Sequence, residues 1–285
     1  MSGAPGGRGL PDGRKRRGNH PPALKKFGQH FLSDRKILTA IVDALAPTPS
    51  DTVVEIGPGR GSLTDVLAER AGRLVAVEID RALAAQLRER YAGRSSVEIV
   101  EGDFLELDAA ALAGDDYLLI GNVPYYITTP IIFKALEPPI PRRSVFLVQL
   151  EVAERLAAKE ESESYGALSV NVAMVATVEQ VLRVPAGAFR PPPKVESAVV
   201  RLTPKSQPLV PISELRGLRT FVQAAFGQRR KQMQRVLRAV RSLTPQQSLD
   251  VLGTVRIDPK ERPENVSPHQ WAALYNALGK LNESR

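Results

Sequence analysis

The chain has 285 residues, 43% hydrophobic and 25% charged, which is ordinary for a folded protein of one large domain or of one large and one small domain. It has no cysteine and only three scattered histidines, which excludes disulfides, thiolate metal sites and a cysteine nucleophile and predicts no metal centre. No apolar run reaches the length of a membrane span, and we expect a cytoplasmic protein. The net charge of +8 predicts a polyanionic partner.

Residues 1–24 are rich in glycine, proline and arginine and lack apolar periodicity. This composition predicts a disordered basic arm. Residues 1–26 carry seven basic side chains against the single acid Asp12. Either the arm contacts nucleic acid or it is only solvated.

Residues 25–205 predict an α/β domain in which short apolar strands alternate with amphipathic helices. The first helix begins near Ser33 or Asp34 as its N-cap. The alternation is typical of a doubly wound, Rossmann-like parallel sheet covered on both faces. Two last strands, at 178–184 and 197–202, are predicted to close it as an antiparallel pair. The earlier strands are predicted at 52–56, 74–79, 97–100, 117–120 and 144–149, and the helices at 63–67, 81–91, 129–136 and from Leu150.

Residues 206–285 predict a small all-helical domain after a proline-rich linker. Helices are predicted at 213–241, 245–252 and 268–280, with no strand between them. The segment 216–241 carries eight arginine and lysine side chains and no acid. We interpret it as an RNA-docking helix, the alternative being cations that cap helices or pair with the acidic remainder of the chain.

Three features at successive strand ends predict an adenosine-containing cofactor. The first strand runs into a loop containing Gly57 and Gly59, where the backbone turns tightly and a ligand approaches closely. Glu78 follows the second strand and suits ribose hydroxyls; Asp103 follows the third and suits an adenine amine. The glycine spacing lacks the pyrophosphate-binding pattern, which favours S-adenosylmethionine over a nicotinamide nucleotide.

The fourth strand ends in Asn122, Val123, Pro124 and Tyr125, a pattern suited to methylating an exocyclic amine. The Asn122 carbonyl and a backbone carbonyl held by Pro124 would accept both amine hydrogens and aim the nitrogen lone pair. Tyr125 offers a face on which a base can stack. Phe189, in a stiff proline-rich loop, is predicted to close on the other face of an extruded base, while Arg190 and Lys194 suit phosphates.

With these motifs the sequence resembles the ribosomal RNA adenine N6-dimethyltransferases. The resemblance runs from Lys26 onward, through 27–32, 54–59, 77–80, 102–103, 122–125 and 189–194. The family divides into small-subunit enzymes of ribosome maturation and large-subunit enzymes of macrolide resistance. Four further segments are similar to the small-subunit branch: 165–170, 193–201, 226–231 and 262–267.

The resemblance implies roles for individual residues. His30 and Leu32 would hold the methionine end of S-adenosylmethionine, Gly57 would lie under it, and Asn122 would contact both cofactor and target amine. The charge pattern, rather than the resemblance, predicts that Arg229, Arg230, Lys231 and Lys194 contact RNA. His30 and Arg235 depart from the family pattern, in which asparagine is more frequent at both positions.

The implied substrate is a pair of adjacent adenines in a hairpin loop near the 3′ end of 16S rRNA, dimethylated by a monomer within a 30S assembly intermediate. One alternative is a 23S rRNA adenine N6-methyltransferase conferring macrolide resistance, as the basic arm weakly suggests. A second alternative is a non-catalytic assembly or transcription factor, but such a protein would not need Glu78, Asp103 and Asn122. A third is a DNA adenine methyltransferase, but that function would not explain the carboxyl-terminal helical segments.

Overall fold

A computed structural model of the chain describes residues 30–283, so the predicted basic arm lies outside the described residues. Its main feature is a seven-stranded sheet in the order β4-β3-β2-β5-β6-β9-β7. A separate two-stranded ribbon pairs β1 with β8. The strands are β1 Phe31–Leu32, β2 Thr52–Ile56, β3 Arg73–Glu78, β4 Val97–Glu101, β5 Leu118–Asn122, β6 Arg143–Gln149, β7 Ala176–Val184, β8 Phe189–Arg190 and β9 Ser197–Pro204.

Helices cover the sheet and form the carboxyl-terminal part of the chain. The first begins where predicted, because Asp34 accepts hydrogen bonds from two backbone N–H groups of the first turn. The helices are α1 Arg35–Leu45, α2 Ser62–Ala68, α3 Arg81–Tyr91, α4 Ala109–Ala113, α5 Thr128–Lys134, α6 Leu150–Ala157, α7 Ala167–Ala173, α8 Leu215–Phe226, α9 Met233–Arg241, α10 Pro245–Thr254 and α11 Pro268–Glu283.

Both faces of the central strands β2, β3, β5 and β6 are buried, which explains why these strands are almost continuously apolar, whereas the edge strands β4 and β7 carry exposed polar residues. Successive side chains of β2 alternate between faces. Val53 joins a cluster with α1 and α2 residues, whereas Val54 and Ile56 join a second cluster on the opposite face. The second cluster continues into the helical part through buried residues such as Trp271.

The pairing of strands agrees with the predicted fold. β2, β3, β4, β5 and β6 are parallel to their neighbours, and β9 pairs antiparallel with both β6 and β7. The predicted doubly wound sheet, its closing antiparallel pair and the helical part after it are therefore confirmed. Strands end at Pro204 and helices alone follow, while the division into domains at 205 stays a prediction.

One predicted helix is wrong. The segment 213–241 is not continuous but forms α8 and α9, separated by a turn at 227–232. The backbone N–H of Met233 donates to the Glu261 carbonyl, and that of Gln234 donates to the Pro259 carbonyl. These bonds to a distant segment start a second helix. Helices α4 and α7 and the β1–β8 ribbon are further elements that the sequence reading did not place.

Within residues 30–283, no helix combines the length and the apolar character that crossing a membrane requires.

Candidate active site

A cleft opens at the carboxyl ends of β2, β3 and β5, where the parallel register brings three strand ends to one edge. Ile56 pairs with Val77 on one side and with Gly121 on the other. The cleft encloses about 1140 Å³, part of it open to solvent. Its lining contains nearly all predicted cofactor and catalytic residues, namely His30, Leu32, Gly57, Gly59, Glu78, Asp103, Asn122, Pro124 and Tyr125.

The glycine loop after β2 forms the floor of this cleft. Gly57 and Gly59 have φ values of +67° and +58°, in the left-handed region that glycine adopts without strain. A Cβ on Gly59 would lie 3.1 Å from the ring of Phe31. The glycines therefore allow both the turn and the close approach of β1 above it.

Glu78, at the end of β3, is held by the backbone. Its Oε2 accepts from the Gly59 N–H at 2.9 Å and its Oε1 from the Asp80 N–H at 2.9 Å. Burial raises the pKa of this carboxyl, while the hydrogen bonds from Asp80 and Gly59 oppose that rise. Because each oxygen retains a further lone pair, the oriented carboxyl can also accept from a diol.

Asp103 lies at the rim of the cleft after β4. Its Oδ1 accepts from the Leu105 N–H at 2.9 Å, which fixes the direction of the side chain. The next residue, Phe104, is buried and also lines the cleft. A carboxylate beside an apolar wall suits the amine edge and the face of an adenine ring.

Glu55 is a cleft residue to which the sequence reading assigned no role. It is 1% exposed and its Oε2 has no hydrogen-bond partner within the described residues. Burial, with the nearby negative charge of Glu78, raises its pKa from 4.5 to about 8. The sequence did carry a sign of this residue's importance, namely an acid within an otherwise apolar strand. Buried carboxyls are rare without a partner.

Asn122 is the last residue of β5 and is partly buried at the cleft wall. Its Nδ2 donates to the backbone carbonyl of His30 at 3.3 Å. This bond engages one of the two N–H donors of the amide and fixes its orientation, and the acceptor Oδ1 is available to a ligand. The His30 ring in turn donates from Nδ1 to the Pro191 carbonyl at 2.9 Å.

The turn after Asn122 is rigid. The Pro124 carbonyl accepts from the Ile127 N–H at 3.1 Å and from the Thr128 hydroxyl at 3.3 Å. Those bonds use the Pro124 oxygen, so the Val123 carbonyl is the better candidate for the second, backbone acceptor beside Asn122.

Tyr125 forms one wall of the cleft. Its ring stacks near His30, with centroids 5.8 Å apart and planes inclined by 26°. Its hydroxyl shares a 2.7 Å hydrogen bond with the Ser197 hydroxyl. Burial raises the pKa of Tyr125, so the phenol stays protonated at neutral pH.

Phe189 is not where the sequence reading expected it. It is 1% exposed, belongs to the cluster containing Leu32 and Val199, and does not line the cleft. The pairing of β8 with β1 turns Phe189 inward and its neighbour Arg190 outward. In this arrangement the ring has no exposed face. Phe189 therefore packs in the core and does not stack on a base, contrary to the prediction.

Arg190 is exposed at the end of β8, and Lys194 is exposed on the loop between β8 and β9. The Tyr125–Ser197 hydrogen bond holds the end of this loop beside the cleft. The loop is therefore attached to the cleft wall, and contact of Arg190 and Lys194 with phosphates stays a prediction.

The basic residues 229–231 lie in the turn between α8 and α9. Arg229 donates to the Glu264 carboxylate at 2.6 Å and to the Glu163 carbonyl at 3.1 Å. Arg230 and Lys231 are exposed. Two further cations of the segment 216–241 are also engaged within the protein: Arg219 stacks on Phe133, and Arg241 lies over Phe221. The positive charge of this segment that remains available to contact RNA is therefore smaller than its composition suggested.

Comparisons with known proteins show which family the chain resembles. The model of the ribosomal RNA adenine dimethylase family matches residues 23–280. The ribosomal RNA small subunit methyltransferase A of Synechococcus sp. (strain JA-3-3Ab) is 43% identical over 268 residues, covering 90% of this chain and 94% of its own. The protein of that name from Aromatoleum aromaticum is 42% identical over 257 residues, covering 90% of this chain and 94% of its own.

Two solved structures are also similar. A dimethyladenosine transferase from Plasmodium falciparum has a TM-score of 0.76 at 27% identity, covering 88% of this chain and 98% of its own. The 23S rRNA methyltransferase ErmE has a TM-score of 0.69 at 30% identity, covering 87% of this chain and 99% of its own. The family match spans the α/β and the helical parts alike, and the chain belongs to the ribosomal RNA adenine dimethylase family.

Proposed function

We propose that this protein transfers methyl groups from S-adenosylmethionine to N6 of two adjacent adenines in the 3′-terminal hairpin loop of 16S rRNA, during maturation of the small subunit. The observation that carries the proposal is the pairing of an oriented Asn122 acceptor with a cleft fitted to an adenosine cofactor, in a chain of this family. The choice of the small subunit rests on the relatives named for it, which are 42–43% identical to the chain.

The residues present fit S-adenosylmethionine. Glu78, already oriented by two backbone N–H groups, would accept the ribose hydroxyls, and Asp103 would accept the adenine amine. His30 and Leu32 would border the methionine end, above the floor made by Gly57 and Gly59. When bound, the cofactor supplies an electrophilic methyl group for an in-line displacement.

The side chains of this protein act on the adenine amine by positioning it. With Nδ2 donated to His30, the Oδ1 of Asn122 accepts one amine hydrogen. The Val123 carbonyl, held by the rigid Pro124 turn, accepts the other. Two acceptors in fixed directions orient the nitrogen lone pair, and such orientation supplies much of the rate enhancement of a displacement.

Tyr125 holds the plane of the base. The Ser197 hydrogen bond and the neighbouring His30 ring fix the tyrosine ring, so its remaining face presents a flat wall. Its raised pKa keeps the phenol protonated at neutral pH, so Tyr125 does not act as a base. We infer that the proton lost by the methylated amine passes to solvent without a general base.

Exposed cations support an RNA substrate. Lys194 is exposed on the loop between β8 and β9, and Arg230 and Lys231 are exposed in the turn between α8 and α9. We infer that these residues, with Arg229 where its bond to Glu264 permits, contact phosphates of 16S rRNA within a 30S assembly intermediate. The protein acts as a monomer in the cytoplasm; a mass of 31.1 kDa by light scattering would agree, and twice that mass would contradict it.

The deciding experiment offers purified 30S and 50S subunits, both from cells lacking dimethyladenosine, to the enzyme with labelled cofactor. We expect label in 30S alone, recovered as dimethyladenosine at two adjacent positions near the 3′ end of 16S rRNA. Label in 50S alone would identify the 23S rRNA methyltransferase alternative, and label in neither would indicate a binding factor.

A further inference from the structure

Tyr126 is an exposed aromatic side chain at the mouth of the cleft. At 62% exposure it is the most exposed large hydrophobic residue among those the structure describes. Both chain neighbours are partly buried. A single exposed aromatic elsewhere would need no explanation, but this one borders the cleft in which the target base is proposed to bind.

The backbone under Tyr126 is held firmly. Residues Tyr125–Ile127 form one turn of 3-10 helix, capped by Pro124 and followed at once by α5. Successive side chains of such a turn point about 120° apart, since it has roughly three residues per turn. The two tyrosine rings therefore face different directions, with Tyr125 towards His30 and Ser197 and Tyr126 towards solvent.

This divergence means that one base does not use both rings. A base in the cleft lies against Tyr125, while the ring of Tyr126 remains free for a different group arriving from solvent. The segment 190–197 is attached to two cleft residues, through the Pro191 carbonyl to His30 and through Ser197 to Tyr125, and it carries the exposed cations Arg190 and Lys194. An aromatic face next to cations is the combination that binds single-stranded nucleic acid.

We propose that Tyr126 stacks on the nucleotide adjacent to the target adenine and so sets the register of the RNA strand at the cleft. The inference rests on the proposed function and adds to it a positioning residue for the neighbouring base. When either of two adjacent adenines occupies the cleft, the nucleotide next to it lies on the Tyr126 ring. Because stacking depends on the face of the ring and not on its hydroxyl, Tyr126 acts independently of base identity.

The first test is steady-state methylation of 30S subunits from cells lacking dimethyladenosine. Replacing a stacking aromatic by alanine weakens single-strand binding by about 5- to 150-fold. We expect Tyr126→Ala and Tyr126→Leu to raise the KM for subunits within this range and to leave kcat within about threefold, because the stack forms before and during the reaction. Tyr126→Leu keeps apolar bulk but lacks a π face, whereas Tyr126→Phe and Tyr126→Trp keep the face and should restore the wild-type KM.

Two controls separate stacking from damage to the protein. The melting temperature and the cofactor dissociation constant of each variant should match the wild type. A wild-type KM in Tyr126→Ala, or full activity in Tyr126→Leu, would overturn the proposal while wild-type methylation of 30S would still support the function. Failure of the wild-type enzyme to methylate 30S would instead overturn the proposed function.

A second test locates the contact directly. The variant Tyr126→p-benzoylphenylalanine is bound to the same subunits, irradiated, and the crosslink is mapped by reverse-transcription stops. We expect the stop beside the dimethylated adenines. A crosslink only to distant helices of the rRNA would contradict the assignment, whatever the kinetic results.

Discussion

The side-chain amide of Asn122 donates a hydrogen bond to the backbone carbonyl of His30, with 3.3 Å between Nδ2 and the carbonyl oxygen. A residue at the end of a central strand is thereby oriented by a residue 92 positions earlier. The bond determines which end of the amide faces the ligand. It also makes the residue just before β1 a part of the catalytic arrangement, although His30 itself need not touch the target base.

Replacing Asn122 by alanine should abolish methyl transfer while leaving the fold and RNA affinity nearly intact. The loss of one oriented acceptor should lower the single-turnover rate by about 10²–10³-fold. Asn122→Asp is the matched comparison, because it keeps an acceptor but cannot donate to His30. We expect it to be slow as well; near-normal single-turnover rates in a stably folded Asn122→Ala would exclude the proposed role.

Glu78→Ala should weaken cofactor binding and leave the chemical step unchanged at saturating cofactor. A charge-assisted acceptor contributes about 1.5–3 kcal/mol, which corresponds to roughly 10- to 150-fold in affinity. Glu78→Gln should weaken cofactor binding less than Glu78→Ala does. Its amide oxygen keeps one of the two acceptors that serve the N–H groups of Gly59 and Asp80. Calorimetric titration measures this, and an unchanged dissociation constant in Glu78→Ala would place the ribose elsewhere.

Glu55 should make the stability of the protein depend on pH. Its pKa is about 8 in the folded protein against an ordinary value of 4.5, so the folded state holds a proton that the unfolded state loses between these values. Stability from this group is therefore full below about pH 4.5 and falls as pH rises to about 8. Glu55→Gln should remove the loss, so its melting temperature relative to wild type should be higher at pH 8.5 than at pH 5.

The control for this comparison is Glu106→Gln, at an exposed position. Its difference from wild type should be the same at both pH values. If Glu55→Gln also shows no change between pH 5 and pH 8.5, then Glu55 is ionised in the folded protein and has a partner that stabilises its charge.

The basic turn at 227–232 should contribute to RNA affinity mainly through Arg230 and Lys231. Neutralising both to alanine should lower the slope of log affinity against log salt by roughly 1.4–1.8, at about 0.7–0.9 for each lost phosphate contact. Cofactor affinity should not change, because the turn lies outside the cleft lining. Binding to 30S subunits at several salt concentrations measures the slope.

The matched control is the pair Arg70→Ala and Arg73→Ala, which removes the same charge at the amino-terminal side of β3. It should leave the salt slope unchanged. Arg229→Ala should lower both the salt slope and the stability of the protein. The stability falls because losing the bond to Glu264 costs about 0.2–1 kcal/mol. Equal slopes for the Arg230 and Lys231 double variant and the wild type would contradict the assignment of this turn to RNA.

Features carried by adjacent residues could be predicted from the sequence. The glycine loop, Glu78, Asp103 and Asn122 each follow directly on an apolar strand, and parallel strands bring such ends to one edge. The cleft lining confirms that they lie together. Their roles in binding and catalysis stay predictions.

Features that depend on distant segments could not be predicted. The pairing of β8 with β1 determines that Phe189 points inward. No local sequence pattern predicts this pairing. Likewise, apolar residues of helical spacing continue from α8 into α9, so the break between them is invisible until the contact of Met233 with Glu261 is known. The divergence of Tyr126 from Tyr125 follows from one turn of 3-10 helix, which is too short to leave a periodic signal.

The β1–β8 ribbon also has a consequence for synthesis of the protein. His30 and Pro191, which it joins, are 161 residues apart. At about 5–20 residues per second, a ribosome makes the second roughly 8–32 s after the first. Throughout that interval His30 lacks the segment that holds it, and the support it gives to Asn122 is incomplete. The arrangement around Asn122 is therefore complete only after residue 191 has been synthesised.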